Sequence, residues 1–299
     1  MWQEETFDSE TIRKELGWAK DIGLNCMRVY LHHLAWKQDR KGFLERMDKY
    51  LIIADSFHIK TIFVFFDDCW NAEYEAGPQP SPEPGVHNSG WVRDPGNILF
   101  RQPELMDTLE NYVKEIIGNF ENDERIILWD LYNEPGNNGL INKSMPLLKN
   151  VFQWAREIDP EQPLTAGVWN QKLTKLNEFQ INHSDIITYH NYSNEIDHKI
   201  AIDTLKRYNR PLVCTEYLAR TKDSRFDNIM VLLKNEGVGA IHWGLVSGKT
   251  NTIYAWDTPV PDGSEPDVWF CNIFYQDGTP FDPEEIRLIQ QLTGKNKAE

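Results

Sequence analysis

Two glutamates stand at the points where strongly apolar segments of the chain end. Residues 126–133 lead directly into Glu134 and Pro135, and residues 211–215 lead in the same way into Glu216. The apolar, β-branched and aromatic content of both segments predicts strands that are buried on both faces. Because the carboxyl ends of the strands in a parallel α/β barrel form one rim, we expect both carboxyl groups at that rim.

A pair of carboxyl groups can hydrolyse a glycosidic bond with retention of configuration when the two lie about 5 Å apart. One is the nucleophile, and the other first donates a proton and then acts as a base. A single glutamate at a strand end more often caps a helix or pairs with a basic residue. The presence of two, the first preceded by Asn133, favours catalysis over those structural roles.

A metal-dependent hydrolase is an alternative chemistry. The side chains of His32, His33, Asp67 and Asp68 offer nitrogen and oxygen ligands that suit a divalent metal. They do not show a spacing typical of a metal site, so we predict no metal and no cofactor.

The rest of the chain alternates between strand and helix patterns. This alternation predicts an α/β fold, a (β/α)8 TIM barrel in a single domain over residues 1–299, with an open doubly wound sheet as the alternative. Strands are predicted at 24–31, 59–66, 126–134, 164–169, 186–192, 211–217 and 240–246. Helices are predicted at 9–22, 43–57, 104–120, 144–158, 195–208, 224–236 and 283–292.

Seven strands are evident, whereas a complete barrel needs eight. We expect the first strand to have been lost upstream of Met1, the alternative being that residues 1–7 act as a makeshift strand. Two long connections, at 71–99 and 247–282, are rich in proline and tryptophan. Irregular loops of this length are uncommon unless they are functional, so we expect both to form walls at the catalytic rim.

The composition excludes several classes of partner. With 31 basic and 46 acidic residues, the formal net charge of −15 repels nucleic acid and anionic lipid. No apolar run approaches the roughly 20 residues that a membrane span requires, so membrane insertion is not predicted. The four cysteines lack the spacing of a zinc site or a disulfide framework.

Five motifs occur in a fixed order along the chain, and together they resemble a known family. They are Gly-Leu-Asn-Cys-Met-Arg at 23–28, Asn-Glu-Pro at 133–135, His-Asn-Tyr at 190–192, Thr-Glu-Tyr at 215–217, and Trp243. This set resembles the retaining (β/α)8 glycoside hydrolases of the clan that includes cellulase-type family 5 enzymes, β-mannanases and the catalytic domain of β-galactosidases. One departure is that family 5 members often have a histidine at the end of the third strand, where this chain has Asp-Asp-Cys-Trp at 67–70.

The resemblance implies roles for individual residues. Glu134 corresponds to the acid/base and Glu216 to the nucleophile. The nucleophile must stay ionised, and Arg28 and Tyr192 are candidates to stabilise its charge. The predicted substrate-binding residues are Arg28, His32, Asp68, Asn133, Trp169, His190, Tyr192 and Trp243.

The sequence therefore predicts a retaining β-glycosidase that hydrolyses a β-linked polysaccharide or oligosaccharide of the mannan, glucan or xylan type. Alternatives are an exo-acting enzyme of the β-mannosidase or β-galactosidase type, and a catalytically silent carbohydrate-binding barrel. The substrate class favours a secreted or periplasmic location, although the first residues lack the features of a signal peptide. No sequence pattern indicates an oligomeric state.

Overall fold

The computed structural model describes residues 1–79 and 81–295, which form two compact units. Unit 1 comprises Met1–Arg13, Cys26–Gln79 and Val92–Ile186, and unit 2 comprises Lys14–Asn25, 81–91 and 187–295. The single domain predicted for residues 1–299 stays a prediction. Five residues, Pro80 and 296–299, lie outside the described part of the chain. The predicted domain includes all five, and the predicted loop at 71–99 includes Pro80.

The elements follow the predicted alternation of strands and helices. The strands are β1 (Cys26–Tyr30), β2 (Lys60–Asp67), β3 (Ile126–Asn133), β4 (Leu164–Thr165), β5 (Ile187–His190), β6 (Leu212–Glu216) and β7 (Gly239–Ala240). The α-helices are α1 (Ser9–Asp21), α2 (His33–Gln38), α3 (Arg40–Ser56), α4 (Ile98–Arg101), α5 (Leu105–Phe120), α6 (Met145–Ile158), α7 (Thr174–His183), α8 (Glu195–Lys206), α9 (Val231–Glu236) and α10 (Pro283–Thr293).

Unit 1 contains a four-stranded parallel sheet in the order β1-β2-β3-β4. Strand β2 is buried on both faces, since the side chains of Phe63, Phe65 and Phe66 are each exposed by 1% or less. The Phe65 ring packs against Tyr112 of α5 and Trp129 of β3, with ring centroids 5.4 and 5.6 Å apart. The register places Asp67 beside Asn133, so β2 and β3 end together. This alignment positions the segments that follow both strands.

Unit 2 contains a three-stranded parallel sheet in the order β5-β6-β7. Strand β7 is shorter than the predicted strand at 240–246. The backbone amides of Ile241 and Trp243 still donate to carbonyls of Cys214 and Tyr217, but Gly244 then takes a φ of 82° and redirects the chain. In unit 1, β4 is likewise shorter than the predicted 164–169.

Three helices of unit 1 were not predicted, namely the short α2 and α4, and the longer α7. Helix α7 buries Leu176 and Ile181, but it also buries Gln180, whose side-chain amide donates to the carbonyls of Ala166 and Gly167 at 3.4 and 2.6 Å. A polar residue on the buried face removes the continuous apolar stripe that marks an amphipathic helix.

Parts of the two long connections pair with each other in unit 2, and we call residues 81–91 and 248–263 the paired loops. The amide of Asn88 donates to the carbonyl of Thr250 at 2.8 Å, and the amide of Val260 donates to the carbonyl of Gly85 at 3.0 Å. A Cβ atom on Gly85 would lie 1.7 Å from the Val260 oxygen, so this close approach requires glycine. The pairing gives both irregular segments a fixed backbone path.

Every helix within residues 1–79 and 81–295 is too short or too polar to serve as a membrane span.

Candidate active site

The backbone of Glu134 directly follows the last residue of β3 in a left-handed conformation. Its φ is 43°, a region that non-glycine residues seldom occupy and that Pro135 does not favour for its predecessor. The amide of Asn137 donates to the carbonyl of Glu134 at 3.1 Å and closes a tight turn after the strand. Strained backbone of this kind persists where surrounding contacts hold it, and it clusters at functional sites.

Two side chains contact the same oxygen of the Glu134 carboxyl group. Nδ2 of Asn137 donates to Oε2 at 2.6 Å, and Sγ of Cys69 lies 3.2 Å from that oxygen. Neither Cys69 nor Asn137 was predicted as a site residue. The available signal for Cys69 was its place in the Asp-Asp-Cys-Trp segment, where family 5 members often carry a histidine.

Arg28 is the centre of a buried polar network in unit 1. Its Nε donates to Oδ2 of Asp130 at 2.9 Å, and its Nη2 donates to Oδ1 of Asn133 at 2.7 Å. Its Nη1 donates to the hydroxyl of Tyr30 at 2.7 Å. The side chains of Arg28 and Asp130 are only 3% and 0% exposed, so this ion pair is shielded from water. The network holds Asn133, the residue before Glu134, in one orientation.

The side chain of Asp68 forms hydrogen bonds with the segment that follows Glu134. Its carboxylate accepts hydrogen bonds from the Tyr132 hydroxyl at 2.8 Å, from the Gly136 amide at 2.7 Å, and from the Ser144 hydroxyl. Burial raises the pKa of Asp68 to about 6 even though these donors oppose the rise. All of these partners lie in unit 1, and substrate binding by Asp68 stays a prediction.

The predicted residues His32 and Trp169 also lie in unit 1. His32 is the N-cap of α2, where its Nδ1 accepts the amide hydrogen of Leu34 at 3.2 Å. The indole of Trp169 donates to the carbonyl of Pro135 at 3.2 Å, so it contacts the turn that carries Glu134.

A group of possible metal ligands is formed by His32, His33 and Asp94, whose ligand atoms lie within 4.8 Å of one another. The same atoms serve the first turn of α2. Asp94 accepts both the backbone and the ring hydrogen of His33, and Nδ1 of His32 accepts the Leu34 amide. Since the single lone pair of that nitrogen is engaged, the geometry favours a helix-capping network over a metal site.

In unit 2, Glu216 is the last residue of β6 and is buried. The Tyr192 hydroxyl donates to its Oε2 at 2.7 Å, and Nδ1 of His190 lies 3.4 Å from the same oxygen. His190 pairs with Glu216 in the register of β5 and β6, and Tyr192 follows two residues later. Three predicted site residues therefore form one cluster.

Aromatic side chains continue this cluster outward within unit 2. The rings of Trp256 and Tyr192 form a T-shaped contact with centroids 5.0 Å apart, and those of Trp91 and Trp243 form another at 5.4 Å. Trp91 and Trp256 belong to the paired loops, and Trp256 is 39% exposed. Tyr192 and Trp243 also pack against the buried core that includes Phe270. Flat, partly exposed rings beside a carboxylate suit the apolar face of a sugar.

Comparison with known proteins agrees with a carbohydrate-binding site built around strand-end glutamates. The family model described as "Cellulase (glycosyl hydrolase family 5)" matches residues 85–249. An endo-β-1,4-mannanase from Rhizomucor miehei superposes with a TM-score of 0.64 at 14% identity, covering 98% of this chain and 92% of that chain. An endo-β-1,4-mannanase from Thermotoga petrophila gives 0.62 at 15% identity, covering 96% and 73%. A GH5_18 protein from Streptomyces cattleya, in complex with Manβ1-4GlcNAc, gives 0.65 at 11% identity, covering 98% and 77%.

The comparison with curated proteins found no match. The structural likeness confirms the predicted (β/α)8 barrel class, and the protein is a glycoside hydrolase with a carbohydrate substrate. The family model covers more than half of the chain, and the chain belongs to glycosyl hydrolase family 5. The predicted resemblance to this family is therefore confirmed.

Proposed function

We propose that the protein is a retaining β-glycosidase that hydrolyses β-1,4-linked mannosides, with Glu216 as the nucleophile and Glu134 as the acid/base. The observation that carries this proposal is that each glutamate stands at the carboxyl end of a parallel strand in a family 5 chain. Each also has one carboxylate oxygen oriented by a neighbouring hydrogen-bond donor, Asn137 for Glu134 and Tyr192 for Glu216.

The reaction proceeds in two displacements. In the first, the carboxylate of Glu216 attacks the anomeric carbon while Glu134 protonates the departing glycosidic oxygen, which leaves the sugar esterified to Glu216. In the second, Glu134 removes a proton from water, the water oxygen attacks the same carbon, and Glu216 is released. Two inversions at one carbon give net retention.

The neighbours of the glutamates have defined tasks in this scheme. Tyr192 and His190 orient the nucleophile. One Nδ2 hydrogen of Asn133 is engaged by Asp67 at 2.9 Å, whereas the other has a contact of 3.5 Å with the weakly accepting sulfur of Cys69. When a substrate binds, this second hydrogen can exchange its weak contact with the sulfur for a bond to a sugar 2-hydroxyl, an interaction that strengthens in the transition state.

The choice of mannosides rests on the solved structures that resemble the chain. Two are described as endo-β-1,4-mannanases, and a third contains Manβ1-4GlcNAc. The ring of Trp256 supplies a flat surface beside Tyr192, and Trp243 packs against the same buried core as Tyr192. Flat aromatic surfaces of this kind suit a sugar-binding cleft. Glucan and xylan are the competing substrates, and exo action on the end of a chain is the competing mode.

The test is a panel of 4-nitrophenyl β-mannoside, β-glucoside, β-xyloside and β-galactoside, together with β-1,4-mannan, glucan and xylan. The panel is applied to the wild type, to Glu134→Gln and Glu216→Ala, and to the control Glu124→Gln. Glu124 is an exposed glutamate just before β3, at the opposite end of the strand from Glu134. We expect turnover of mannosides by the wild type and the control, and a loss of at least about 10³-fold in Glu216→Ala.

Two further measurements examine the mechanism and the mode of action. A 2-deoxy-2-fluoromannosyl fluoride should inactivate the enzyme and add one sugar mass to the peptide that contains Glu216. Chromatography of mannopentaose digests separates endo products from the single mannose released by exo action. Sugar binding without turnover in a folded wild type would support a catalytically silent barrel and overturn the proposal.

A further inference from the structure

The sulfur of Cys69 lies among the polar side chains of the turn that carries Glu134. Sγ is 3.2 Å from Oε2 of Glu134, 3.3 Å from Nδ2 of Asn137 and 3.5 Å from Nδ2 of Asn133. The residue is 8% exposed. These three contacts come from one short segment, residues 133–137, although Cys69 belongs to the connection after a different strand.

The chemistry of a neutral thiol matches these three neighbours. A thiol has one weak hydrogen-bond donor, and its sulfur is a weak acceptor. Both amide nitrogens carry hydrogens and can only donate, so they point hydrogens at the sulfur. The single S–H hydrogen is donated to Oε2 of Glu134.

The position of the thiol is set by the ends of β2 and β3. Oδ1 of Asp67 accepts the backbone amide hydrogen of Cys69 and one Nδ2 hydrogen of Asn133, each at 2.9 Å. Asp67 and Asn133 are partners in the β2–β3 register. The pairing of β2 with β3 therefore fixes the position of the thiol beside Glu134.

We infer that Cys69 is a positioning residue for Glu134. Together with Asn137 it keeps Oε2 of Glu134 as a hydrogen-bond acceptor, so that the proton given to the glycosidic oxygen is carried on Oε1. The catalytic use of that proton rests on the proposed function, whereas the assignment of the oxygens rests on the contacts alone. Because both donors bond best to a charged acceptor, they also stabilise the carboxylate form of Glu134. The pair thus makes Glu134 a stronger acid in the first displacement.

The direct test is the titration of Glu134 by carbon-13 NMR in protein labelled at the glutamate side-chain carboxyl carbon. The Glu134 signal is the one absent from Glu134→Gln. We expect its pKa to rise by roughly 0.5 unit in Cys69→Ala and by about 1 unit in Asn137→Ala, which loses the shorter hydrogen bond. Cys69→Ser keeps a donor and should titrate close to the wild type.

Cys26→Ala is the matched control, since it removes a thiol from β1 whose described contact is with the carbonyl of Met27 at 3.9 Å. It should leave the Glu134 titration unchanged. A thermal melt of each variant reports whether the protein is folded. If Cys69→Ala does not fold, the Asn137→Ala and Cys69→Ser titrations still decide the matter.

Kinetics provide the second readout. In the pH profile of kcat/KM with 4-nitrophenyl β-mannoside, the alkaline limb reports the loss of the proton from Glu134. We expect this limb to move to higher pH in Cys69→Ala and to lie at the wild-type position in Cys69→Ser. Unchanged titrations of Glu134 in folded Cys69→Ala and Asn137→Ala would overturn the inference. Full turnover by Glu134→Gln would instead overturn the acid/base assignment and leave the NMR result standing, so the two failures are distinguishable.

Discussion

The hydroxyl of Tyr192 donates to Oε2 of Glu216 across 2.7 Å, joining the segment after β5 to the last residue of β6. The bond holds the carboxylate in one rotamer. The ring of Tyr192 in turn packs against Trp256 of the paired loops. The predicted nucleophile is therefore oriented by a side chain that is itself supported from outside the sheet.

Tyr192→Phe removes this hydrogen bond and keeps the ring. A hydrogen bond to a charged group contributes about 2 kcal/mol, so we expect kcat/KM for the mannoside to fall about 30-fold with little change in thermal stability. Steady-state kinetics and a thermal melt measure both quantities.

Tyr275→Phe is the control, because the Tyr275 hydroxyl also donates to a glutamate, Glu265, at an exposed position. Its kinetics should match the wild type. An equal loss of activity in both variants would show that the effect is not specific to the nucleophile.

The buried pair of Arg28 and Asp130 predicts a strong energetic coupling. Removing one partner leaves the other charged in an apolar environment, so Arg28→Met and Asp130→Leu should each destabilise the fold by about 3–5 kcal/mol. The double variant should cost much less than the sum. Urea unfolding of the four proteins gives the coupling energy.

The exposed pair of Arg101 and Glu73 provides the comparison for that cycle. Both side chains are 59% exposed, with Nη2 of Arg101 lying 2.6 Å from Oε2 of Glu73. Solvent screening should keep their coupling far below that of the buried pair. Equal coupling in the two pairs would contradict the argument from burial.

The raised pKa of Asp68 predicts a dependence of stability on pH. Burial lifts the pKa from the ordinary 3.8 to about 6, so the folded protein binds this proton more tightly than the unfolded chain does. The stabilisation that this proton gives to the folded protein is fully present below the ordinary pKa of 3.8 and is lost as pH rises through about 6.

The measurement is urea unfolding of wild type and Asp68→Asn between pH 4 and pH 7. Asparagine does not titrate, so the stability of the wild type relative to Asp68→Asn should fall by about 2 kcal/mol across this range. The exposed Asp267→Asn serves as the control and should follow the wild type. A constant difference between wild type and Asp68→Asn would rule out the proposed titration.

The exposed indole of Trp256 predicts a role in binding rather than in chemistry. We expect Trp256→Ala to raise KM for mannopentaose about fivefold to tenfold, because a stacked ring contributes on the order of 1 kcal/mol. Trp256→Phe should recover most of the affinity. A fall in kcat at unchanged KM would instead indicate that Trp256 acts through Tyr192.

The order of strands and helices was largely readable from the sequence. Apolar runs predicted all seven of the described strands, because buried strands leave a continuous apolar signal. The same signal indicated that Glu134 and Glu216 stand at strand ends. The helical pattern missed α2, α4 and α7, and in α7 this is because Gln180 occupies the buried face. The predicted strand at 240–246 was too long, because Gly244 turns the chain.

The contacts around the candidate site were decided by tertiary structure. Asp130 reads as one polar residue inside an apolar run, and only the β1–β3 arrangement shows it to be the buried partner of Arg28. Cys69 stands 65 positions before Glu134 in the chain, yet their side chains meet. A sequence records residue types and local periodicity, whereas the approach of two distant side chains depends on strand register and on the path of the connecting segments.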